Sequence, residues 1–336
     1  MRSERLSLAL EDGAVSLPPE GCILVLRPRA GDDLSALGRD RVQVVTGFRP
    51  DHDAFADLGY AVATAPDRGY AAALVCLPRT RDLARALLAE ASLRVVPGGP
   101  VLVDGQKTDG IESVWRELRD MGAAPGAPLS KAHGKIFSFA AGVDLGAWAA
   151  QDLQVAGGFV TRPGVFSADG PDAASALLAA ALPEKLPPRV ADLGAGWGYL
   201  ARAILARAGV SECHLIEAEA EALDCARRNV TDPRARFHWA DATRFRPDRA
   251  FDAVVCNPPF HSGREADPGL GIAFLKAAAG MLTTSGTLWL VANRHLPYDP
   301  VLADLFREHE DRGGDSRFRL YRASRPVPRP APRRPT

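Results

Sequence analysis

The sequence predicts two tandem doubly wound α/β domains, each a mostly parallel sheet with helices on both faces. Three observations predict it. The 336 residues are long for one domain and suit two. From Val190 onward, short apolar runs that end in glycine or proline alternate with segments of helical period. Continuous apolar strands of that kind belong to parallel sheets buried on both faces. The first half carries a fainter copy of the same alternation.

In the second half, "RVADLGAG" is a strand running into glycines and "WGYLARAILARAG" is the helix behind it. "CHLIEA" and "EAEALDCARRNV" are the next strand and helix, and "RARFHWADA" and "AFDAVVCNPPF" are the third and fourth strands. "GIAFLKAAAGML" is a helix, "SGTLWLVANR" a fifth strand, "PVLADLFREH" a further helix, and "SRFRLYRA" an alternating strand that closes the unit. Right-handed crossovers make such a series doubly wound.

In the first half, "CILVLRP", "VQVVTGF", "YAAALVCLPRT" and "GGPVLVDGQ" read as strands, with "TRDLARALLAEASLRV" as a helix between them. "AALVCLPRT" and "DAVVCNPPF" are both buried strands leaving through a proline, so Leu77 stands where the second half has Asn257. "VLRPRAGDD" likewise stands where the second half has "DLGAGWG". The first half thus keeps a scaffold without the polar site, a non-catalytic copy available for docking a substrate. The ranges expected are 1–143 for this domain, 144–172 for a glycine-rich linker and lead-in, 173–323 for the catalytic domain, and 324–336 for a disordered Pro/Arg-rich tail.

Composition excludes several classes of function. With 46% hydrophobic and 24% charged residues the chain is an ordinary globular one. A formal charge of +0 gives no overall field for a polyanion, so a nucleic-acid surface must be a local patch. Cys22, Cys76, Cys213, Cys225 and Cys256 form no CxxC pair, which argues for buried thiols in a reducing cytosol and against a metal site. No apolar run reaches the ~18 residues of a membrane span. "MRSERLSLALEDG" lacks the design of a signal peptide, and a cytoplasmic protein is expected.

Two motifs carry chemistry. "VADLGAGWGYLARAIL" puts Gly194, Gly196 and Gly198 between a strand and a helix, where backbone can approach a ligand beside free helix N–H groups. Nucleotide-binding turns share this place, but the spacing here is G-x-G-x-G and Asp192 precedes it. A carboxylate there repels a pyrophosphate and accepts from an ammonium group, which favours a ligand with an amino-acid end such as S-adenosylmethionine. Glu217, at the tip of the second strand, can take both ribose hydroxyls, or it can serve the start of the next helix. Asp241, after the third strand, can accept from an adenine amino group or cap a short turn, and the two readings stand level.

The second motif is "NPPF", Asn257 to Phe260. Two prolines have no N–H and a fixed φ, and the residue before a proline is held extended, so the strand leaves as a stiff turn with carbonyls exposed. Asn257 Oδ1 and the Pro258 carbonyl can accept both protons of an exocyclic amine, freeing its lone pair to attack a methylsulfonium. Phe260 offers a face for a base, worth ~1–3 kcal/mol. A plain Pro-Pro turn would explain Pro258 and Pro259 but neither flanking residue. His261 has no evident carboxylate partner and is a supporting candidate for substrate contact.

These residues resemble those of class I S-adenosylmethionine-dependent methyltransferases with an [N/D]-P-P-[F/Y] motif. The whole chain resembles, more narrowly, the bacterial rRNA (guanine-N2-)-methyltransferases of the RsmC/RlmG type. "TRPGVFSADGPD", "DLGAGWG", "NPPFHSG" and "VANRHLPYDPVL" followed by "RFRLYRA" carry the resemblance. It implies two tandem Rossmann-like methyltransferase domains, the first degenerate, with no membrane or metal involvement. It implies S-adenosylmethionine held by Asp192, Gly194, Ala195, Gly196, Glu217, Asp241, Ala242 and Asn257. Asn257, Pro258, Pro259 and Phe260 would hold guanine N2 of 16S rRNA, with Phe260, His261 and Phe166 on the substrate side. The partner would be ribosomal RNA or an assembled ribosomal subunit. Ala195 replaces the family's usual cysteine, and "DAAS" from Asp172 to Ser175 replaces its Asp-x-Gly-Ser, which leaves the role of Ser175 open. Methylation of large-subunit rRNA, or of a glutamine in a translation factor, are the alternatives.

Overall fold

The computed structural model describes residues 2–259, 261–262, 265–266 and 268–328. Contacts divide the chain into two units, Met1–Asp152 with Arg162–Gly164, and Leu153–Thr161 with Val165–Thr336.

The first unit contains α1 (Arg2–Glu11), β1 (Ile23–Leu26), β2 (Val42–Val45), α2 (Arg49–Asp57), β3 (Ala61–Ala63), β4 (Ala72–Cys76) and α3 (Arg81–Arg94). It continues with β5 (Pro100–Gln106), α4 (Ile111–Asp120), β6 (Leu129–Lys131) and β7 (Gly134–Ala140). Its sheet runs β3-β2-β1-β4-β5-β7-β6, parallel through β5 and antiparallel from β7 on. β1 and β4 are buried at every position, as strands covered on both faces must be. One face packs Leu24, Leu26, Val75 and Val103 against Leu88 and Ala91 of α3. The other packs Ile23, Val25 and Leu74 against Leu6 and Ala9 of α1 and Phe55 of α2.

The second unit begins with a hairpin, β8 (Leu153–Val155) and β9 (Phe159–Thr161), inside the stretch expected as a linker. The hairpin forms because Val155 and Phe159 have an apolar place to go, a cluster with Trp197, Ala222 and Cys225. There follow α5 (Ala173–Ala181), β10 (Arg189–Leu193), α6 (Tyr199–Leu205), β11 (Glu212–Glu217), α7 (Ala220–Asn229), β12 (Ala235–Trp239) and β13 (Phe251–Cys256). Two short strands, β14 (His261–Ser262) and β15 (Glu265–Ala266), pair with each other. The unit closes with α8 (Pro268–Met281), β16 (Leu282–Asn293), α9 (Tyr298–Leu305), β17 (Phe306–Gly314) and β18 (Phe318–Pro326).

Its sheet runs β12-β11-β10-β13-β16-β18-β17, parallel through β16 and antiparallel after it. One face buries Val190, Leu215 and Val255 with α5, α6 and α7. The other buries Ala191, Ile216 and Val254 with α8 and α9. Both units therefore have the doubly wound architecture the alternation predicts, with one strand order between them.

Besides that hairpin, three stretches differ from the sequence expectation. "FREH" does not continue the helix: α9 stops at Leu305 and Phe306 opens β17, whose remaining residues are exposed. β18 would otherwise leave its outer edge unpaired, and charged side chains on β17 make a safe edge, with Arg322 on Glu310 and Arg325 on Glu308. β18 also runs through Pro326, three residues into the expected tail, because Ser324 is held by Glu308 through an Oγ–Oε2 bond of 3.0 Å; residues 329–336 lie outside the described ones. The third is α1, unread in the sequence. Four of the five cysteines are buried, as expected, and Cys22 is exposed.

Candidate functional site

The site forms where β10, β11 and β13 end together. Parallel strands present their C-terminal ends to one rim, and that rim receives ligands in doubly wound sheets. β10 ends at Leu193, and the chain turns back over β11, with the Gly194 and Ala195 amides donating to the Ile216 carbonyl at 2.9 and 3.1 Å. Gly194, Gly196 and Gly198 all have positive φ, at 78°, 54° and 91°, which only glycine adopts without strain. Their surroundings separate their tasks. A Cβ at Gly198 would meet Val230 at 2.8 Å, so that glycine serves the approach of α6 to α7; a Cβ at Gly196 would meet nothing within 4 Å. Gly196 is therefore the position where the backbone borders open space.

Asp192 is 0% exposed, and neither carboxylate oxygen has a hydrogen-bond partner among the described residues. Burial pushes its pKa up to about 8; the nearby Ala201 backbone N–H, in the first turn of α6, offsets part of this and the negative field of Glu217 adds to it. A carboxyl buried without a partner costs about 1–3 kcal/mol or more. The fold keeps one beneath a glycine turn. Such an orphaned acceptor fits a ligand that brings its own cationic donor.

Glu217 lies at the end of β11 and grips the turn directly. Its Oε2 accepts from the Gly196 amide at 2.7 Å and its Oε1 from the Glu219 amide at 2.8 Å. Burial raises its pKa, against the pull of those amides. Each oxygen retains a lone pair, so the same carboxylate can also accept from a diol. Asp241 follows β12. Its Oδ1 takes the Thr243 amide at 2.8 Å and the Thr243 hydroxyl at 2.7 Å, which gives the turn-capping role a physical basis and leaves Oδ2 without a donor among the described residues. Ala195 and Ala242 are buried at 7% and 3% exposure, so they offer backbone and packing only.

Asn257 leaves β13 and is partly buried. Its Nδ2 donates to Asp172 Oδ2 at 3.0 Å and to Ser175 Oγ at 2.9 Å. Asp172 is also the N-cap of α5, accepting the Ser175 amide at 2.9 Å. Pro258 is buried and Pro259 partly so. Phe260 and the side chain of His261 fall outside the described residues. Phe166 is 57% exposed, a large apolar side chain left in solvent. Its carbonyl accepts from Trp197 Nε1 at 2.9 Å, so the lead-in is fastened to the residue that follows Gly196.

The sequence reading missed Asp172 and left Ser175 open. It missed Trp197, which stacks edge-on to Phe159 at 4.9 Å, and Asn229, which donates to the Val160 and Trp197 carbonyls and accepts from the Val160 amide. A helix-start signal was available, since Asp172 immediately precedes an apolar alanine-rich run. Nothing in the sequence links it to Asn257, which is 85 residues away. Among the described residues, no group of three or more His, Cys, Asp or Glu could hold a metal, and no helix is long and apolar enough to cross a membrane.

Residues 156–322 match the family model described as "Methyltransferase small domain". The ribosomal RNA small subunit methyltransferase C of Pseudomonas paraeruginosa is 33% identical over 276 residues, covering 78% of this chain and 81% of that protein. This chain belongs to the ribosomal RNA small subunit methyltransferase C family. The namesake from Shewanella loihica is 28% identical over 74% of this chain and 76% of its own length. The fold is that of a Thermus thermophilus 16S rRNA N2 G1207 methyltransferase solved with AdoMet and guanosine, at a TM-score of 0.77 and 23% identity, over 96% of this chain and 91% of that one. As a member of this family the chain is a methyltransferase. The buried acceptor at Asp192, the carboxylate of Glu217 and the open side of Gly196 fit the S-adenosylmethionine expected from the sequence.

Proposed function

We propose that the protein methylates the exocyclic N2 of a guanine in 16S rRNA of the small ribosomal subunit. The observation that carries this reading is the state of Asn257, whose amide nitrogen is spent on Asp172 and Ser175, so that among the described residues its oxygen is the end left for an amine. Family membership supplies the rRNA context.

Asp192 would take the ammonium end of the cofactor, Glu217 the ribose hydroxyls and Asp241 Oδ2 the adenine amine. When bound, S-adenosylmethionine supplies an electrophilic methyl group on a sulfonium. Asn257 Oδ1 and the Pro258 carbonyl accept the two N–H groups of guanine N2. That amine is flat, with its lone pair shared with the ring; holding both protons out of plane directs the lone pair at the methyl carbon. The C–N bond forms as the S–CH3 bond breaks, and a proton leaves the nitrogen to solvent. Alignment does most of the work, since the methyl group needs no further activation. Phe260 would stack on the base, with His261 and the exposed Phe166 beside the substrate. The first unit would dock the RNA, free or within the subunit, and such a substrate implies work in the cytoplasm.

The test is transfer of labelled methyl to small subunits that lack their native modifications, followed by nucleoside analysis. Label in N2-methylguanosine of 16S rRNA is expected. Label confined to large-subunit RNA would move the target and keep the chemistry, and label in protein glutamine would overturn the reading.

A further inference from the structure

A clamp that accepts an amine works only if its amide faces the right way, and an asparagine amide can turn over by rotation about its terminal torsion. What faces Asn257 Nδ2 is decisive. An ionised carboxylate has no proton to give. Asp172 Oδ2, at 3.0 Å, can therefore tolerate only the NH2 end of the amide, and Ser175 Oγ takes the second proton at 2.9 Å. Turning the amide over would set oxygen against carboxylate. The same Asp172 oxygen is fixed in turn by the Ser175 amide at 2.9 Å, and Ser175 is only 8% exposed. The orientation of Asn257 is thus dictated by the first turn of α5, not by the Asn-Pro-Pro turn itself.

We propose that Asp172, with Ser175, is a positioning device for the methyl transfer, locking Asn257 with Oδ1 toward the substrate amine. This rests on the reading of Asn257 as the amine clamp. Two consequences follow. A hydrogen bond to a carboxylate polarises the amide and makes Oδ1 a stronger acceptor. The lock also sets specificity, because a site presenting only acceptors admits an amine and rejects a carbonyl oxygen at the same place.

Asp172→Ser is the informative variant. Serine caps a helix about as well as aspartate, so α5 keeps its N-terminus, but the shorter side chain does not span to Asn257. Turnover is expected to fall about 10- to 100-fold, the usual loss when a supporting hydrogen bond behind a working group is removed. Cofactor affinity by calorimetry should stay within about twofold, and KM for the RNA should change little, as expected when an interaction realised in the transition state is lost. Asp172→Asn, which keeps an oxygen for Nδ2, should recover most of the activity.

A second readout does not depend on turnover. The Asn257 side-chain amide resonances, assigned by their absence in Asn257→Ala, should show slow proton exchange in the parent protein and fast exchange in Asp172→Ser. Unchanged resonances, or parent-level turnover in Asp172→Ser, would overturn the positioning role. Parent-level turnover in Asn257→Ala would instead sink the amine-clamp reading, while the resonances would still decide whether Asp172 fixes the amide.

Discussion

The two units share a strand order, yet they bury carboxylates in different places and in different company. Aligning Val75 with Val255, in "ALVCLP" and "AVVCNP", lets strand register fix the equivalences. Asp192 pairs across β10–β13 with Val255, and Leu26 pairs across β1–β4 with Val75, so the first unit has leucine where the second has the orphaned carboxyl. In the fifth strand the exchange runs the other way: Cys256 registers with Leu290, but Cys76 registers with Asp104. Asp104 is 0% exposed, as Asp192 is. It is not orphaned. Arg5 meets it with both ends of its guanidinium, Nε to Oδ2 at 2.7 Å and Nη2 to Oδ1 at 2.8 Å, and Arg2 adds a third bond at 2.7 Å.

The contrast separates two uses of buried charge. A fully paired carboxylate fastens one element to another, here α1 to β5, and leaves nothing over for a ligand. An unpaired one weakens the fold unless something outside the protein completes it. By this measure the first unit satisfies its buried charge internally, and the second keeps one that a ligand can complete.

The largest stability effect is expected from unpairing Asp104. Arg5→Met removes the bidentate partner and should lower the stability of the first unit by about 3–5 kcal/mol. Urea denaturation followed by a probe in that unit would show it. Restoring the apolar arrangement of the second unit, with Arg5→Met and Asp104→Leu together, should recover most of the loss, and failure to recover it would mean that α1 is held by something other than this pair.

On the other side of the comparison, Asn257→Ala should cut methyl transfer by about 100- to 1,000-fold, the scale of losing one preorganised group at the reacting atom. Cofactor affinity should persist. A variant that binds and turns over normally would erase the functional distinction between Asn257 and its counterpart Leu77.

Asp192→Leu imports the residue of the first unit and is smaller in effect. The second unit should gain about 1–3 kcal/mol at pH 8.5, because a desolvated carboxylate no longer needs burying. Its cofactor affinity should drop by about tenfold or more, since a hydrogen bond to a charged group is worth ~1.5–3 kcal/mol. The sign with pH follows from a folded-state pKa raised from 3.8 to about 8. The folded form holds a proton that the unfolded form loses above pH 4, so this group's contribution to stability is fully present below pH 4 and is lost as pH rises toward 8. In the variant that slope should vanish. Cofactor binding should strengthen over the same climb toward pH 8 and release a proton, which calorimetry in two buffers of different ionisation enthalpy would count.

How much of this was legible in the sequence depends on the range of the interaction. The glycine turn, the run of Asp192 before it and the Asn-Pro-Pro exit are local signals, written in consecutive residues. The doubly wound architecture followed from alternation and crossover handedness, but the order of strands within each sheet did not. The pairing of Asn257 with Asp172 was not legible, since it joins residues 85 apart in an element that looked like linker. Nor was α1, because a buried arginine reads as a surface residue until its partner is known; Arg5 and Asp104 are 99 apart. β17 was lost to a helix pattern because its strand character comes from the free edge of β18 and not from its own charged residues.

The smallest effect on the chemistry is expected at Leu77, and it tests the comparison at its weakest point. Leu77 is 4% exposed, and its side chain packs near Gly105, where an added Cβ would stand 3.1 Å from Leu77 Cδ1. Leu77→Asn gives the first unit the residue proposed to hold the amine in the second. It should not create a second site. The glycine turn is absent there, and Leu26 replaces Asp192. The variant should lose about 1–3 kcal/mol of stability from an amide buried without partners, while calorimetry still counts one cofactor per chain and methyl transfer proceeds at the parent rate. A second equivalent of bound cofactor would show that the first unit lacks only a side chain; a loss of the single equivalent would show that it contributes to the site it was thought merely to resemble.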